Sequence, residues 1–383
     1  PGMTRPGGQD PVGIGRGEPP APPRCGDGTV DPGEACDFNH PQAPFACKAD
    51  CSIGQGVRAI TAHNRGFCAA HDDGTIRCLG VPGDQFGATW DQETDRNSFN
   101  PIAQTNEFKQ VALGDSHGCG LKGNGRVMCW GSNARLQVGQ SPADDVVLGP
   151  TDVDFTGMDS DEDYQDNPFV SVHAANTHSC ARQREGQVWC WGQNEDGATG
   201  ISPVQGTTQP MSPYQIELPA NENLLTQGFW TGPRNSCAQL NDRYYCWGRQ
   251  DNLGSAENVI RFNLDPTLPV RDNTDQPLSA GGQLVIGLRH TCATDAEQKV
   301  WCWGQGAHHR LGQGLNDHDN EHWRATRVRF GIPQTPTFQK LAVVTTNNPS
   351  YGTITCGISA DYNLWCWGQN TYGLLGDRSQ SSM

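Results

Sequence analysis

The chain has 383 residues, with 47 Gly, 26 Pro, only 18% charged residues and a formal net charge of −15. That length suits one large domain plus a small module, and so many Gly and Pro suit short strands joined by turns. An acidic surface repels phosphate backbones, so nucleic acid is excluded as the expected partner, and no apolar run approaches the length that spans a bilayer.

Sixteen cysteines, an even count at regular spacing, indicate disulfides and an oxidising setting, secreted or at the cell surface. The first residue is Pro1 rather than Met, which reads as a processed start. Residues 1–24 form a Pro/Gly-rich tail with nothing to bury, expected to be extended. Residues 25–56 carry Cys25, Cys36, Cys47 and Cys51. So short a stretch needs staples, and two disulfides are expected with all three pairings open. Zinc would want two close cysteine pairs, and only Cys47 and Cys51 are close. Asp27, Asp31, Glu34 and Asp37 of this module form a candidate calcium set.

Residues 57–383 repeat one motif six times: FCAAHDDGTIRCLG, GCGLKGNGRVMCWG, SCARQREGQVWCWG, SCAQLNDRYYCWG, TCATDAEQKVWCWG and TCGISADYNLWCWG. Their first cysteines are Cys68, Cys119, Cys180, Cys237, Cys292 and Cys356, 51 to 64 residues apart. That period matches a four-stranded propeller blade and exceeds a solenoid repeat.

If Cys68 faces Cys78 across a hairpin, the pairing closes on a three-residue loop, Asp72-Asp73-Gly74, with Gly at the left-handed position. Gly123-Asn124-Gly125 and Arg184-Glu185-Gly186 repeat that chemistry. The fourth copy is one residue shorter and leaves Asn241-Asp242, a type I′ candidate. The fifth and sixth copies put Gln298 and Tyr362 at the left-handed position, which implies strain or a different loop. Facing Cα atoms lie within disulfide reach, so six bridges are expected: Cys68–Cys78, Cys119–Cys129, Cys180–Cys190, Cys237–Cys246, Cys292–Cys302 and Cys356–Cys366. Trp130, Trp191, Trp247, Trp303 and Trp367 follow the second cysteine, with Leu79 in the first copy, and inter-blade packing is the simplest role for an aromatic at one fixed position. The linkers beyond often end in Pro before an apolar residue: Pro101-Ile102, Pro213 before Ile216, Pro269-Val270.

The pattern Cys-x-x-x-x-Asp-Gly-x-Val-x-Cys-Trp-Gly, then Asn-x-x-Gly-x-x-Gly, resembles the regulator of chromosome condensation repeat, in its cysteine-bearing secreted bacterial form. Gln369-Asn370-Thr371-Tyr372-Gly373-Leu374-Leu375-Gly376 matches the family's signature end best. The resemblance implies an all-β chain, a β-propeller of six or seven four-stranded blades, here preceded by a small disulfide-rich module and an extended tail. Residues 25–51 are similar to the myxococcal-type Cys-rich repeat of secreted and surface proteins. Family members exchange guanine nucleotides on a nuclear GTPase or inhibit β-lactamase, so fold alone does not assign function. Disulfides and acidic charge disfavour the exchange role.

Several stretches mimic sites. Gly114-Asp115-Ser116-His117-Gly118 fits the G-x-S-x-G elbow, but that elbow needs a strand–turn–helix, and here it precedes Cys119 within the repeat. His117, His178 and His290 share one repeat position, which argues for a role in the blade. Asp159, Asp161 and Asp163 lie in an acidic insertion, a second candidate calcium set, although Tyr164 and Val170 break the EF-hand pattern and a solvated loop is expected. His308, His309, His318 and His322 gather near Asp317, Asp319 and Glu321 in what reads as a long polar loop.

No Pro-apolar segment follows the last copy within these 383 residues, and Asp10-Pro11-Val12-Gly13-Ile14 resembles one. That piece could complete its own ring or add a strand to a neighbour, building a filament. The expectation is therefore a protein-interaction or self-associating module, with no cofactor unless calcium binds. A secreted inhibitor or carbohydrate-binding propeller is the alternative, and an enzyme the least supported.

Overall fold

The hairpin between paired cysteines, with nine residues between them in five copies and eight in the fourth, is the unit from which the fold is built. The computed structural model describes residues 57–63, 66–80, 100–102, 107–140, 145–155, 158, 161–194, 196–201, 210–218, 226–249, 262–263, 269–314, 322–344, 353–370 and 375. In all six copies the two cysteines face each other in register and are bonded, with Cα atoms 4.1 Å apart.

Each hairpin sits at the centre of an antiparallel sheet whose strands follow chain order. The first sheet runs β1 (Val57–His63), β2 (Gly66–His71), β3 (Ile76–Gly80) and β4 (Asn100–Pro101). The second runs β5 (Phe108–Leu113), β6 (His117–Lys122), β7 (Val127–Ser132) and β8 (Val146–Asp152). The third has β9 (Phe169–Ala174), β10 (His178–Gln183), β11 (Val188–Gly192) and β12 (Met211–Gln215). The fourth has β13 (Thr226–Thr231), β14 (Asn235–Leu240), β15 (Arg243–Arg249) and β16 (Phe262–Asn263). The fifth has β17 (Leu284–Ile286), β18 (His290–Thr294), β19 (Val300–Gly304) and β20 (His322–Arg327). The sixth shows three strands among the described residues, β21 (Phe338–Val344), β22 (Ile354–Ser359) and β23 (Leu364–Gly368). All six belong to one compact unit, Gly56–Met383.

The hairpin loops differ in chemistry. Gly74, Gly125 and Gly186 take the left-handed position with φ of 79°, 88° and 96°. Gln298 and Tyr362 hold the same conformation at 62° and 63°, so those loops keep the geometry and bear its cost. The fourth loop corrects the type I′ expectation. Leu240 pairs with Arg243 around two residues, but only Asn241 has positive φ, at 51°. A type I′ turn needs both residues left-handed; Asn tolerates that conformation well, and here Asp242 does not adopt it.

Five clusters of buried side chains lie between consecutive sheets, one per seam. The rule is clearest between the second and third sheets. Phe169 from the third sheet's first strand and Trp191 from its Trp-Gly pair pack on Leu121, Val127 and Val153 of the second. Phe108 with Trp130, and Phe338 with Trp367, repeat this against the first and fifth sheets. The tryptophans are therefore core groups, and at 25 cal/mol per Å² each contributes several kcal/mol of burial. Gly139 shows how close the seam is. Its φ is 77°, and a Cβ there would lie 2.6 Å from Val153 and 3.2 Å from the Trp191 indole nitrogen. Gly200 and Gly312 meet Ile216 with Trp247, and Val328 with Trp367, in the same way.

Candidate interaction surfaces

In three of the six copies a histidine two residues before the first cysteine, His117, His178 or His290, faces a hydroxyl of the next blade across the seam. His117 Nε2 lies 2.7 Å from Ser179 Oγ of the next blade, and Ser179 donates to the Gln137 carbonyl at 3.1 Å. Trp191 Nε1 donates to that same carbonyl at 2.9 Å. One seam on, His178 approaches Ser236 Oγ at 3.4 Å, while Ser236 and Trp247 both donate to the Ala198 carbonyl at 2.9 and 3.1 Å. His290 Nε2 meets Thr355 Oγ1 at 2.7 Å in the fifth seam. The carbonyls sit on the loop after Trp-Gly, whose shape is set by one Asn. Asn133 Oδ1 accepts from Val138 N at 3.1 Å, Asn194 Oδ1 from Thr199 N at 3.2 Å, and Asn370 Oδ1 from Leu375 N at 2.9 Å. Burial holds His178 near a pKa of about 4 and, with Arg310 beside it, His290 near about 3. The His178 and His290 rings are therefore neutral at neutral pH.

The remaining sequence-level sites fall as follows. Gly114–Gly118 is the turn from β5 into β6, two antiparallel strands with no helix behind the serine, so the elbow context is missing. The described end of the acidic insertion is helical rather than a loop, with Asp166 still exposed. Residues Asp161–Asp166 form one short helix, with Asp161 and Asp163 on it, and Asp159 lies outside the described residues. Tyr164 on that helix is buried against Phe169, and Arg126 covers its ring at 4.7 Å. Tyr164 turns inward while Asp166 stays exposed, so the helix buries its aromatic group and keeps that acid in solvent. His308 and His309 lie in a 3-10 turn, Ala307–His309, and His322 begins β20. Among the described residues no three His, Cys, Asp or Glu side chains gather as a metal site. Residues 1–56, His318, Asp317, Asp319 and Glu321 lie outside the described residues, and with them Cys25, Cys36, Cys47, Cys51 and the Asp27, Asp31, Glu34, Asp37 set.

Two surfaces remain. A polar cleft of about 200 Å³ lies where the inner hairpins of the second to fourth blades turn, lined by Asp115, Asn176, Gln193, Asp196 and Arg234 among others. Arg234 Nε lies 3.6 Å from Asp196 Oδ2 there. The larger feature is the outer edge of the sixth sheet. In the other five blades a buried apolar residue beyond the Cys strand donates its N–H to the residue two before the second cysteine. These bonds are Ile102 to Ile76 O, Val153 to Val127 O, Ile216 to Val188 O, Val270 to Tyr244 O and Val328 to Val300 O, at 2.7–3.1 Å. Ile76, Val127, Val188, Tyr244 and Val300 are each 0% exposed beneath that cover and the next blade. Leu364 holds the same position in the sixth blade and is 70% exposed. Ile358, Val344 and Tyr362 of that blade are exposed with it. The first blade presents a matching gap: Val57, in the place of Phe108, Phe169 and Phe338, is 43% exposed. Sequence reasoning did not find the bared leucine, because burial depends on the neighbouring blade.

Comparison with known proteins agrees with the repeat architecture. A family profile described as the regulator of chromosome condensation (RCC1) repeat matches residues 108–137 and 169–198. Protein pim1 of Schizosaccharomyces pombe is 27% identical over 64% of this chain and 45% of its own length. The Ultraviolet-B receptor UVR8 of Arabidopsis thaliana is 25% identical over 70% of this chain and 54% of its own. The chain thus spans about half the length of the curated relatives it matches. Among solved structures, human WBSCR16 superposes with a TM-score of 0.67 at 18% identity, covering 87% of this chain and 82% of that one. Prp20p of Saccharomyces cerevisiae, described with its binding to Gsp1p and histones, gives 0.58 at 17% identity over 75% and 66%. At these identities the structural likeness speaks for the fold.

Proposed function

We propose that this chain, a β-propeller of regulator of chromosome condensation repeats, is a protein-interaction module of the cell exterior that associates with other copies of itself by strand addition. The observation that carries the reading is the bared third strand of the sixth blade, with Leu364 70% exposed where five equivalents are fully buried. An uncovered strand edge with an apolar row invites an added strand, which brings main-chain hydrogen bonds for affinity and side-chain pockets for specificity. The tail of a neighbouring copy offers the matching piece. Pro11-Val12-Gly13-Ile14 has the Pro-x-x-apolar spacing of Pro150 to Val153 and Pro213 to Ile216, the cover segments of the second and third blades. Such a contact is head-to-tail and extends into a filament.

Two features support the wider reading. Six cross-strand bridges suit an oxidising exterior, away from a nuclear GTPase. Prp20p, which shares the fold, is described as binding proteins. Binding rather than catalysis fits the seam histidines, whose Nε2 atoms face the next blade's hydroxyl.

Light scattering and electron microscopy of the non-reduced full chain test this. Polymers in the wild type, reduced to monomers by either Ile14→Asp or Leu364→Lys, are expected. A monomeric wild type, or polymers indifferent to both substitutions, refutes self-association. A monomer whose melting temperature falls with Ile14→Asp would mean that the segment closes its own ring.

A further inference from the structure

The seam between the fifth and sixth blades departs from its counterparts in a way that points to a ligand. The loop after Trp303-Gly304 begins at Gly306, where the second, third and sixth blades have Asn133, Asn194 and Asn370. Without that side chain to hold the turn, the loop takes another path. His308 and His309 are both left-handed, with φ of 61° and 60°, where the corresponding loops have one such residue before their last glycine, Leu136 or Gly197. Trp367 Nε1, whose counterparts donate to the Gln137 and Ala198 carbonyls, has no acceptor among the described residues.

Arg310 stands at the Gln137 and Ala198 position of this displaced loop. Its side chain is 4% exposed, and Nε and Nη1 have no hydrogen-bond partner among the described residues. No ion pair joins it to a carboxylate among the described residues. Its electrostatic neighbours are Arg289 and His290, and burial with the Arg289 charge lowers its pKa to about 10, so it stays protonated at neutral pH. Arg289 is itself half-buried, held by Gln305 Oε1 at 2.8 Å from its Nη1. Trp367 Nε1 and the guanidinium are donor-only groups. A buried cation beside a second cation, with two of its guanidinium nitrogens unmatched, is unfavourable until an anion joins it.

We propose that this seam is an oxyanion site, in which Arg310 binds a carboxylate or phosphate group and Arg289 supplies the second positive charge at the rim. The planar guanidinium presents paired donors that match two oxygens of either group. In a chain of net charge −15 a site of this kind selects for the anionic group itself, because the surrounding surface gives no general attraction. It is separate from the open edge of the sixth blade and does not depend on self-association.

The test is calorimetric titration of the full chain with inorganic phosphate at constant ionic strength, with the melting temperature followed in parallel. Saturable binding is expected in the wild type, weakened at least about tenfold in Arg310→Gln, together with loss of the phosphate-dependent rise in melting temperature. Arg310→Met is expected to melt higher than the wild type in phosphate-free buffer, since it removes an unpaired buried charge. That reading survives any loss of binding through misfolding. No saturable binding to the wild type, or equal binding to Arg310→Gln, overturns the proposal. Binding that appears only after Asp317→Asn, Asp319→Asn and Glu321→Gln are combined also overturns it, and assigns the site to the chain's own carboxylates.

Discussion

Ser179→Ala is the sharpest test of the seam relay. The hydroxyl it removes meets His117 Nε2 at 2.7 Å and the Gln137 carbonyl at 3.1 Å. The carbonyl keeps Trp191 Nε1 at 2.9 Å, so that acceptor stays satisfied. His117 Nε2 loses this partner inside a fully buried seam, and a buried polar atom left unmatched costs about 1–3 kcal/mol. The expected destabilisation is therefore about 2 kcal/mol. Ser236→Ala is the internal comparison. Its histidine contact is 3.4 Å, beyond a good hydrogen bond, so only the bond to the Ala198 carbonyl at 2.9 Å counts, about 1 kcal/mol. Urea unfolding in oxidising buffer measures both, and a double-mutant cycle with His117→Phe should show coupling of about 1–2 kcal/mol. Ser179→Ala no more damaging than Ser236→Ala, or an additive cycle, would refute the relay as an energetic unit.

Three further outcomes follow from the geometry. Cys356–Cys366 is partly exposed, whereas the other five bridges are buried. Thiolate attack requires access, so limited reduction under native conditions, mapped by mass spectrometry, should open the sixth-blade bridge first; random order would contradict the bared edge. Gly139→Ala places a Cβ 2.6 Å from Val153 at a φ of 77° and should cost more than about 2 kcal/mol. Gly149→Ala, with nothing within 4 Å, should change the melting temperature little. His173, His178 and His290 are held at about 4, about 4 and about 3, below the ordinary 6.5, by burial first. The unfolded chain then binds more protons below pH 6.5, so stability is full above that value and falls as pH drops toward the folded values, by on the order of 2 kcal/mol per histidine at pH 5. A melting temperature flat from pH 7.5 to 5 would refute this.

The hairpins were legible because their information is local. Facing cysteines ten residues apart leave one loop length, and a glycine at its end confirms the register, as Gly74, Gly125 and Gly186 do. The two-residue loop at Asn241-Asp242 was placed correctly, but its turn type was not, because backbone angles there answer to strand twist and neighbours. Tyr164 was read only as breaking a calcium pattern. Its burial depends on the second sheet some forty residues earlier, where Leu121 and Val127 share its cluster and Arg126 covers its ring.

By itself the sequence determined the all-β repeat, the six hairpins and their bridges, and the packing role of the tryptophans, since each follows from alternation and spacing within about fifteen residues. Only the tertiary structure decided which blade meets which. His117 and Ser179 are 62 residues apart, Leu364 is bare because no neighbour covers it among the described residues, and Arg310 is unpaired among them on a loop that has Gly306 where other blades have an asparagine. Those outcomes depend on how one sheet stacks on the next. Repeats alike in local pattern become different sites where a seam gains or loses a partner.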